Sequence, residues 1–392
     1  MSILVLAPTL KTSSGHDHAF CTELIQYAGA ADIRVLASEK FQPEAELPAL
    51  PFFSVDPYEY RWIHWEKKAP LPWKTLLRSA IQDLRKIDFS LYDKVILHTA
   101  DPVYLIALDR SLRRFDGLLY LGFMLPPTFW LRSSTAGKIL SIASDIAIGS
   151  LRRRTRMLLY SETGAIRFDH RSLKCLLKLA PVQTVTIGGT ADAARLTPSD
   201  QTSRVQIGFF GAALDDKGFQ ILLQLAADAA VRSRFLIKLF LPPGQQELMD
   251  RVSAGNGAIW ASSEDRDLAT YFACMSSVDL VYTLYSPLAY RDRMSGIVQD
   301  ALLAGKPLLL TTGCKEMRRF VERIAPDAYV HADYTVSDAV RCLAATIETL
   351  PELLERARAG SEKIRKMKTF EAYFDSGNGD REKCWRSGEK NG

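Results

Sequence analysis

The sequence has no closely spaced pair of cysteines. Its six, Cys21, Cys175, Cys274, Cys314, Cys342 and Cys384, are scattered over 392 residues. That spacing points to neither a disulfide framework nor a zinc site, and it fits a reducing, cytoplasmic compartment. The chain also lacks an apolar run long enough to cross a bilayer: the longest, Gly117 to Leu131, is interrupted by Pro126-Pro127. Met1 to Thr9 is apolar but has no basic start and no cleavage site, so it reads as a first strand and not as a signal peptide. No repeat shorter than a domain and no low-complexity tract is visible. Charge of one sign is not in large excess, at a net +5, and no nucleic-acid partner is expected.

What is present is the composition of a globular protein, 47% hydrophobic and 24% charged, in a chain long enough for two cores. Apolar, β-branched runs alternate with helical patterns nearly throughout. Strands are expected at Ser2–Ala7, Ile33–Ala37, Lys94–His98, Leu118–Phe123, Arg156–Ser161 and Val182–Ile187. A second series is expected at Val205–Phe210, Phe235–Leu241, Ala258–Ala261, Val278–Leu284, Leu308–Thr311 and Ala328–His331. Between them, Gly188 to Ser203 loses hydrophobic period and gains turn residues, as a linker would. Glu352–Lys368 reads as a charged terminal helix, and the polar stretch from Phe374 as a frayed tail. The expected architecture is α/β: two tandem Rossmann-like doubly wound parallel-sheet domains, 1–195 and 204–368, then a polar tail, 369–392. A ligand cleft is expected between the domains, at the carboxyl ends of strands.

The stretch YRDRMSGIVQDALLAGKPLLLT, 290 to 311, carries the chemistry. Ser295 is placed to cap a helix ending at Leu303, Gly305 to stop it and Pro307 to open the next strand. Ile297, Val298, Ala301 and Leu302 form one face, while Gly296 and Asp300 share another. A helix start with glycine lets backbone amides approach phosphate, and carboxylates accept hydrogen bonds from hydroxyls. Amides for phosphate plus acids for hydroxyls, Asp292 and Asp300, suit a sugar nucleotide. The plainer alternative is a loop acid and a solvated helix face.

GFFGAALDDKGFQILLQLA (208 to 226), followed by DRMSGIVQDALLAGKP (292 to 307), resembles the donor-binding half of retaining glycosyltransferases of family 4, which have the GT-B fold. Lys217-Gly218 matches the family's Lys-Gly at a helix start. Asp292 and Asp300 stand where the family has two glutamates separated by seven residues, and Ser295-Gly296 matches its phosphate turn. In the first half, LAPTLKTSSGHDHAF (6 to 20), with Ser14-Gly15, is similar to the family's first strand and glycine loop, and KVILHTADP (94 to 102) to its third strand, with His98 at the end. The sequence departs from the pattern twice. Both acids are aspartate, and Ala212-Ala213 replace the arginine that usually follows Gly211. Arg291 or Arg293 can stand in for that cation, or both can be surface residues.

The resemblance implies glycosyl transfer from a nucleotide-sugar donor, with retention, without a covalent intermediate, and with no cofactor or metal. Lys217 and Gly218 would hold the departing diphosphate with Ser295 and Gly296, Asp300 the ribose, and Asp292 and His98 would meet the sugar. No Asp-x-Asp motif sits at a strand end to hold manganese. His98 can equally be a hydrogen-bonded rim group; His16 and His18 read as surface residues at a helix start. The acceptor would be a glycan, a lipid-linked sugar or a small molecule. A nucleotide-sugar epimerase and a non-catalytic sugar-nucleotide-binding protein are rival readings, and fold alone does not separate them. The stretch 262 to 272 is the place expected for base recognition. PFFSVDPYEYRWIHWEKKAPLPW (51 to 73) is either an acceptor or interfacial loop or a connection packed over the first sheet. Arg110, Arg113, Arg114, Arg152-Arg153-Arg154 and Arg156 make either a basic face for an anionic membrane or solvated helix ends.

Overall fold

The computed structural model describes residues 1–12, 16–29, 32–45, 47–57, 72–113, 115–123, 135–161, 177–179, 204–253, 258–263, 268–291 and 293–366. The chain divides into two compact units between Gln183 and Thr184. In the first, β1 (Ser2–Ala7), β2 (Asp32–Ser38), β3 (Leu50–Phe53), β4 (Lys94–Leu97), β5 (Leu118–Phe123), β6 (Arg156–Ser161) and β7 (Leu177–Leu179) form one parallel sheet in the order β3-β2-β1-β4-β5-β6-β7. Around it lie α1 (His16–Ala28), α2 (Trp73–Arg85), α3 (Pro102–Ser111) and α4 (Thr135–Arg154).

These strands are apolar at consecutive positions because both faces of the sheet are covered. Ile3, Val5 and Ala7 of β1 meet Phe20, Cys21 and Leu24 of α1 on one face. On the other, Leu4 and Leu6 meet Leu76, Ala80 and Leu84 of α2 and Tyr104 of α3. The Tyr104 hydroxyl is buried there and donates to the Val55 carbonyl at 2.7 Å. Asp101 caps α3 by accepting from the Val103 amide at 2.8 Å, with Pro102 in the first turn where its missing N–H leaves no gap.

The second unit repeats the plan. Here β8 (Val205–Phe210), β9 (Phe235–Phe240), β10 (Ile259–Ser262), β11 (Leu280–Thr283), β12 (Leu308–Thr311) and β13 (Tyr329–Ala332) run parallel in the order β10-β9-β8-β11-β12-β13. The flanking helices are α5 (Phe219–Ala227), α6 (Ala229–Arg234), α7 (Gln246–Ser253), α8 (Leu268–Ser276), α9 (Pro287–Tyr290), α10 (Gly296–Leu303), α11 (Lys315–Ile324) and α12 (Val336–Lys366). Phe209, Ile237, Leu239, Leu280 and Tyr282 of the strands pack with Phe219, Leu222 and Leu225 of α5 and with Ala339 and Leu343 of α12. Each unit is thus doubly wound, and each sheet reverses its strand order next to its first strand: between β1 and β4, and between β8 and β11.

The expected strands are present, with ends shifted by a residue or two, where they fall on described residues. The expected strand at 182–187, the linker at 188–203 and the tail from 369 lie outside those residues. Two elements differ. Residues 50–53, the edge of a stretch read as a loop or connection, form β3 against β2. The terminal helix starts at Val336, well before Glu352, and carries Pro351 within it.

Candidate functional site

In the second unit, polar groups gather where the sheet reverses. β8 is followed by Gly211, whose φ of +101° and lack of a side chain leave room for Lys217: a Cβ there would stand 2.8 Å from Lys217 Nζ. The chain then makes a short 3-10 turn, Asp215–Lys217, and passes through Gly218 into α5. Gly218 has φ +69°, and a Cβ on it would come within 2.0 Å of the Leu284 carbonyl. Only glycine fits. The Tyr282 hydroxyl fixes this turn by donating to the Gly218 carbonyl at 2.8 Å, and the Ser286 amide by donating to the Asp216 carbonyl at 2.8 Å. The Lys217 turn is thereby tied to the end of β11.

The electrostatics of this turn are unbalanced. Burial lowers the Lys217 pKa; neighbouring Asp216 works against that, and Arg293 adds to it. Arg293 lies with its guanidinium 4.7 Å from the centre of the Tyr290 ring, and Tyr290 packs on Tyr285 with ring centroids 4.6 Å apart. Burial also raises the pKa of the Tyr285 phenol, with Tyr290 adding to the effect and Ser295 and Arg293 opposing it. Asp216 Oδ1 is buried with no hydrogen-bond partner among the described residues. Two cations and one carboxylate thus share a partly dry place. Arg293 is the cation that the fold brings to Lys217; Arg291 is exposed at the end of α9.

Ser295 stands at the N-cap position of α10, as expected, but its side chain makes no capping hydrogen bond. It is buried and lies beside the Tyr285 phenol instead. The first amides of α10, from Gly296, are left without that cap, which is the arrangement that favours an anion. One turn on, Asp300 is half-buried and accepts from the Tyr271 hydroxyl at 2.8 Å. Burial, then the Asp300 charge, holds the Tyr271 pKa well above that of a free phenol. Tyr271 stands edge-on to Phe210 at 5.8 Å, and Phe210 stacks on Phe240 at 4.7 Å. Asp300 is thus anchored through Tyr271 to the strand end that precedes Gly211.

In the first unit, His98 follows β4. A Cβ on Gly122 would come within 2.2 Å of the His98 carbonyl, so the glycine in β5 permits the close approach. The imidazole stacks on Phe20 at 3.6 Å, nearly parallel at 12°, and its Nε2 is 3.9 Å from Asp17 Oδ1. The Thr99 hydroxyl donates to that same oxygen at 3.0 Å. His18 lies 3.6 Å from Glu44.

The structure therefore brings Lys217, Gly218, Arg293, Ser295, Gly296 and Asp300 to one region of the second unit. His98 belongs to the first unit, and Arg291 is exposed at the end of α9. Asp292, Ser14 and Gly15 lie outside the described residues. Asp216, Tyr271, Tyr285 and Tyr290 are additional members of the site. Of these, Asp216 (in 208 to 226), Tyr271 (in 262 to 272) and Tyr290 (in 290 to 311) fell in stretches singled out from the sequence, but none was named there for a role; Tyr285 fell in none of them. Among the described residues no three His, Cys, Asp or Glu side chains come together as metal ligands.

No family model and no curated protein matches the sequence. Solved structures do. Trehalose 6-phosphate synthase from Burkholderia multivorans superposes with a TM-score of 0.61 at 13% identity, covering 93% of this chain and 92% of that one. Sucrose-phosphate synthase from Thermosynechococcus elongatus gives 0.59 at 10% identity, with 95% and 96% covered. HepE of Anabaena, in complex with UDP, gives 0.58 at 15% identity, with 93% and 95% covered. At such identities the likeness is one of fold. The chain has two Rossmann-like parallel α/β units, the GT-B architecture.

Proposed function

We propose that the protein is a glycosyltransferase that takes its sugar from a nucleotide-sugar donor. The observation that carries this reading is the pairing of Lys217 and Arg293 beside a helix start whose serine side chain does not cap it, at the carboxyl ends of β8 and β11. A donor diphosphate is the ligand whose charge that set would balance. Asp300, oriented by Tyr271, would accept hydrogen bonds from the ribose. Structures of like fold support the reading: one holds UDP, and two are named as synthases of sugar phosphates.

In this mechanism the barrier falls chiefly through stabilisation of the leaving diphosphate. Negative charge grows on its bridging oxygen as the sugar becomes oxocarbenium-like. Donors already aimed at that oxygen lower the transition state without reorganising. Lys217 and Arg293 supply the positive charge, so transfer needs no divalent ion. We assign retention, without a covalent intermediate, with Asp292 meeting the sugar; the acceptor is a glycan, a lipid-linked sugar or a small molecule.

The test is calorimetry with UDP, GDP, ADP and their sugars in excess EDTA, beside product analysis with and without acceptors. Binding of one nucleoside diphosphate, and nucleotide release only when an acceptor is added, is expected. Conversion of the donor, without acceptor, into the epimeric sugar, whether still on the nucleotide or released, would show an epimerase. Binding with no turnover of any donor would show a non-catalytic binder. Absence of binding would remove the site.

A further inference from the structure

Helix α4 of the first unit is apolar on its outer side as well as toward the core. Ser141, Ser144 and Asp145 are buried alongside Leu140, Ile148 and Leu151, whereas Ile139, Ile142 and Ile146 are 53%, 57% and 63% exposed. A surface helix on a globular core ordinarily carries polar residues on its outer side. Positions three and seven residues on from Ile139 fall within an arc of about 60°, so the isoleucines form one stripe roughly 10 Å long. A single exposed isoleucine needs no explanation; an aligned row does.

The stripe leads into positive charge. Arg153, seven residues beyond Ile146, returns to the same side of the helix. Arg154 reaches across to the end of α3, donating to the Leu112 carbonyl at 2.7 Å and to the Asp109 carbonyl at 2.8 Å, and it pairs with the Asp109 carboxylate. That clasp brings two arginine groups, about forty residues apart in sequence, to one end of the unit. Arg110, Arg113, Arg152, Arg153 and Arg156 are all exposed there, while the Asp109 charge is taken by Arg154.

We propose that this face of the first unit docks on an anionic lipid surface. The isoleucines enter the boundary between headgroups and acyl chains, and the arginines meet the headgroup phosphates. Charge complementarity selects this occupant. Three side chains also offer far less than the ~800 Å² per partner that a specific protein interface buries. The arginines lie where β6 begins, whereas His98 and Asp17 lie where β4 ends, so docking leaves the carboxyl ends of these strands open. Docking does not depend on which reaction the second unit supports.

The test is flotation of the full chain with vesicles of phosphatidylcholine alone and with about 30% phosphatidylglycerol. Binding to the anionic vesicles alone, weakening as salt rises, is expected. Arg153→Ser and Arg156→Ser should each lower the partition coefficient roughly fivefold, and Ile142→Ser with Ile146→Ser about tenfold, with the circular dichroism of each variant unchanged. Equal binding to both vesicle types, no binding, or isoleucine variants that are folded and bind like the parent would overturn the proposal. So would sedimentation equilibrium showing that the stripe joins two copies of the chain while vesicles remain unbound.

Discussion

Lys217 needs its proton to hold a diphosphate, and burial lowers its pKa below that of an ordinary lysine, with Arg293 adding to the effect. The cationic form binds the anion, so nucleoside diphosphate affinity should be intact below the lowered pKa and be lost as pH rises through it. A bound diphosphate raises that pKa again, so protons should be taken up on binding near it. Lys217→Arg stays charged throughout this range and should abolish the loss. Titration calorimetry across alkaline pH, in two buffers of different ionisation heat, reads both effects; a flat profile in the parent would exclude Lys217 from the anion. Asp300 calls for a different substitution. Because it accepts from the buried Tyr271 hydroxyl, Asp300→Ala orphans that group and should cost about 1–3 kcal/mol of stability besides any effect on binding. Asp300→Asn keeps an acceptor for Tyr271 but removes the charge. It should therefore weaken diphosphate binding by roughly 1.5–3 kcal/mol with little change in melting temperature. Parent-like affinity in Asp300→Asn would take ribose away from this residue.

Among the elements, the central strands were legible because burial on both faces forces continuous apolar runs. β3 was not: it is four residues long, contains Pro51, and leaves Leu50 42% exposed at the sheet edge. The early part of α12 was hidden by Pro351, which reads as a helix boundary although the helix runs through it. The site was legible only where backbone needs dictate residue type, as at Gly218, or where a helix start has its own signature, as at Ser295-Gly296. Tyr271 is 29 residues from Asp300, and no local pattern announces such a bond. Nor does sequence show that Asp216 Oδ1 is buried, or that the Ser295 side chain leaves its own helix uncapped. Packing between elements makes a further prediction against propensity. Gly360 lies within α12, where alanine ordinarily favours a helix by about 1 kcal/mol. A Cβ there, however, would sit 2.3 Å from the Ala325 Cβ just after α11. The Ser361 hydroxyl holds α12 to the Leu303 carbonyl at 2.6 Å, and Lys363 holds it to the Arg323 carbonyl. With the helix held in place, Gly360→Ala should destabilise by about 1–3 kcal/mol through overpacking. A higher denaturant midpoint for Gly360→Ala would mean that α12 can move away.

For the whole molecule, the division into two compact units between Gln183 and Thr184 makes ligand stabilisation a question of place. The proposed diphosphate contacts in the second unit come from the β8 end, the Lys217 turn and the start of α10. The Lys217 turn is joined by the Tyr282 hydroxyl and the Ser286 amide to the end of β11, and Gly211 after β8 by its amide to the Phe240 carbonyl of β9. At a hundred times its Kd a ligand stabilises the binding form by about 2.7 kcal/mol. Hydrogen exchange of the full chain, with and without saturating nucleoside diphosphate, should therefore show the largest slowing at 211–218 and 293–300. The strands of the second unit should follow to the extent that they open together with the site. The first turn of α10 is the most telling segment: its amides lack a serine side-chain cap, so they exchange readily when free and should be protected once they meet phosphate. Slowing elsewhere, with 211–218 and 293–300 unchanged, would place the diphosphate on other residues and leave Lys217 and Arg293 as a surface pair.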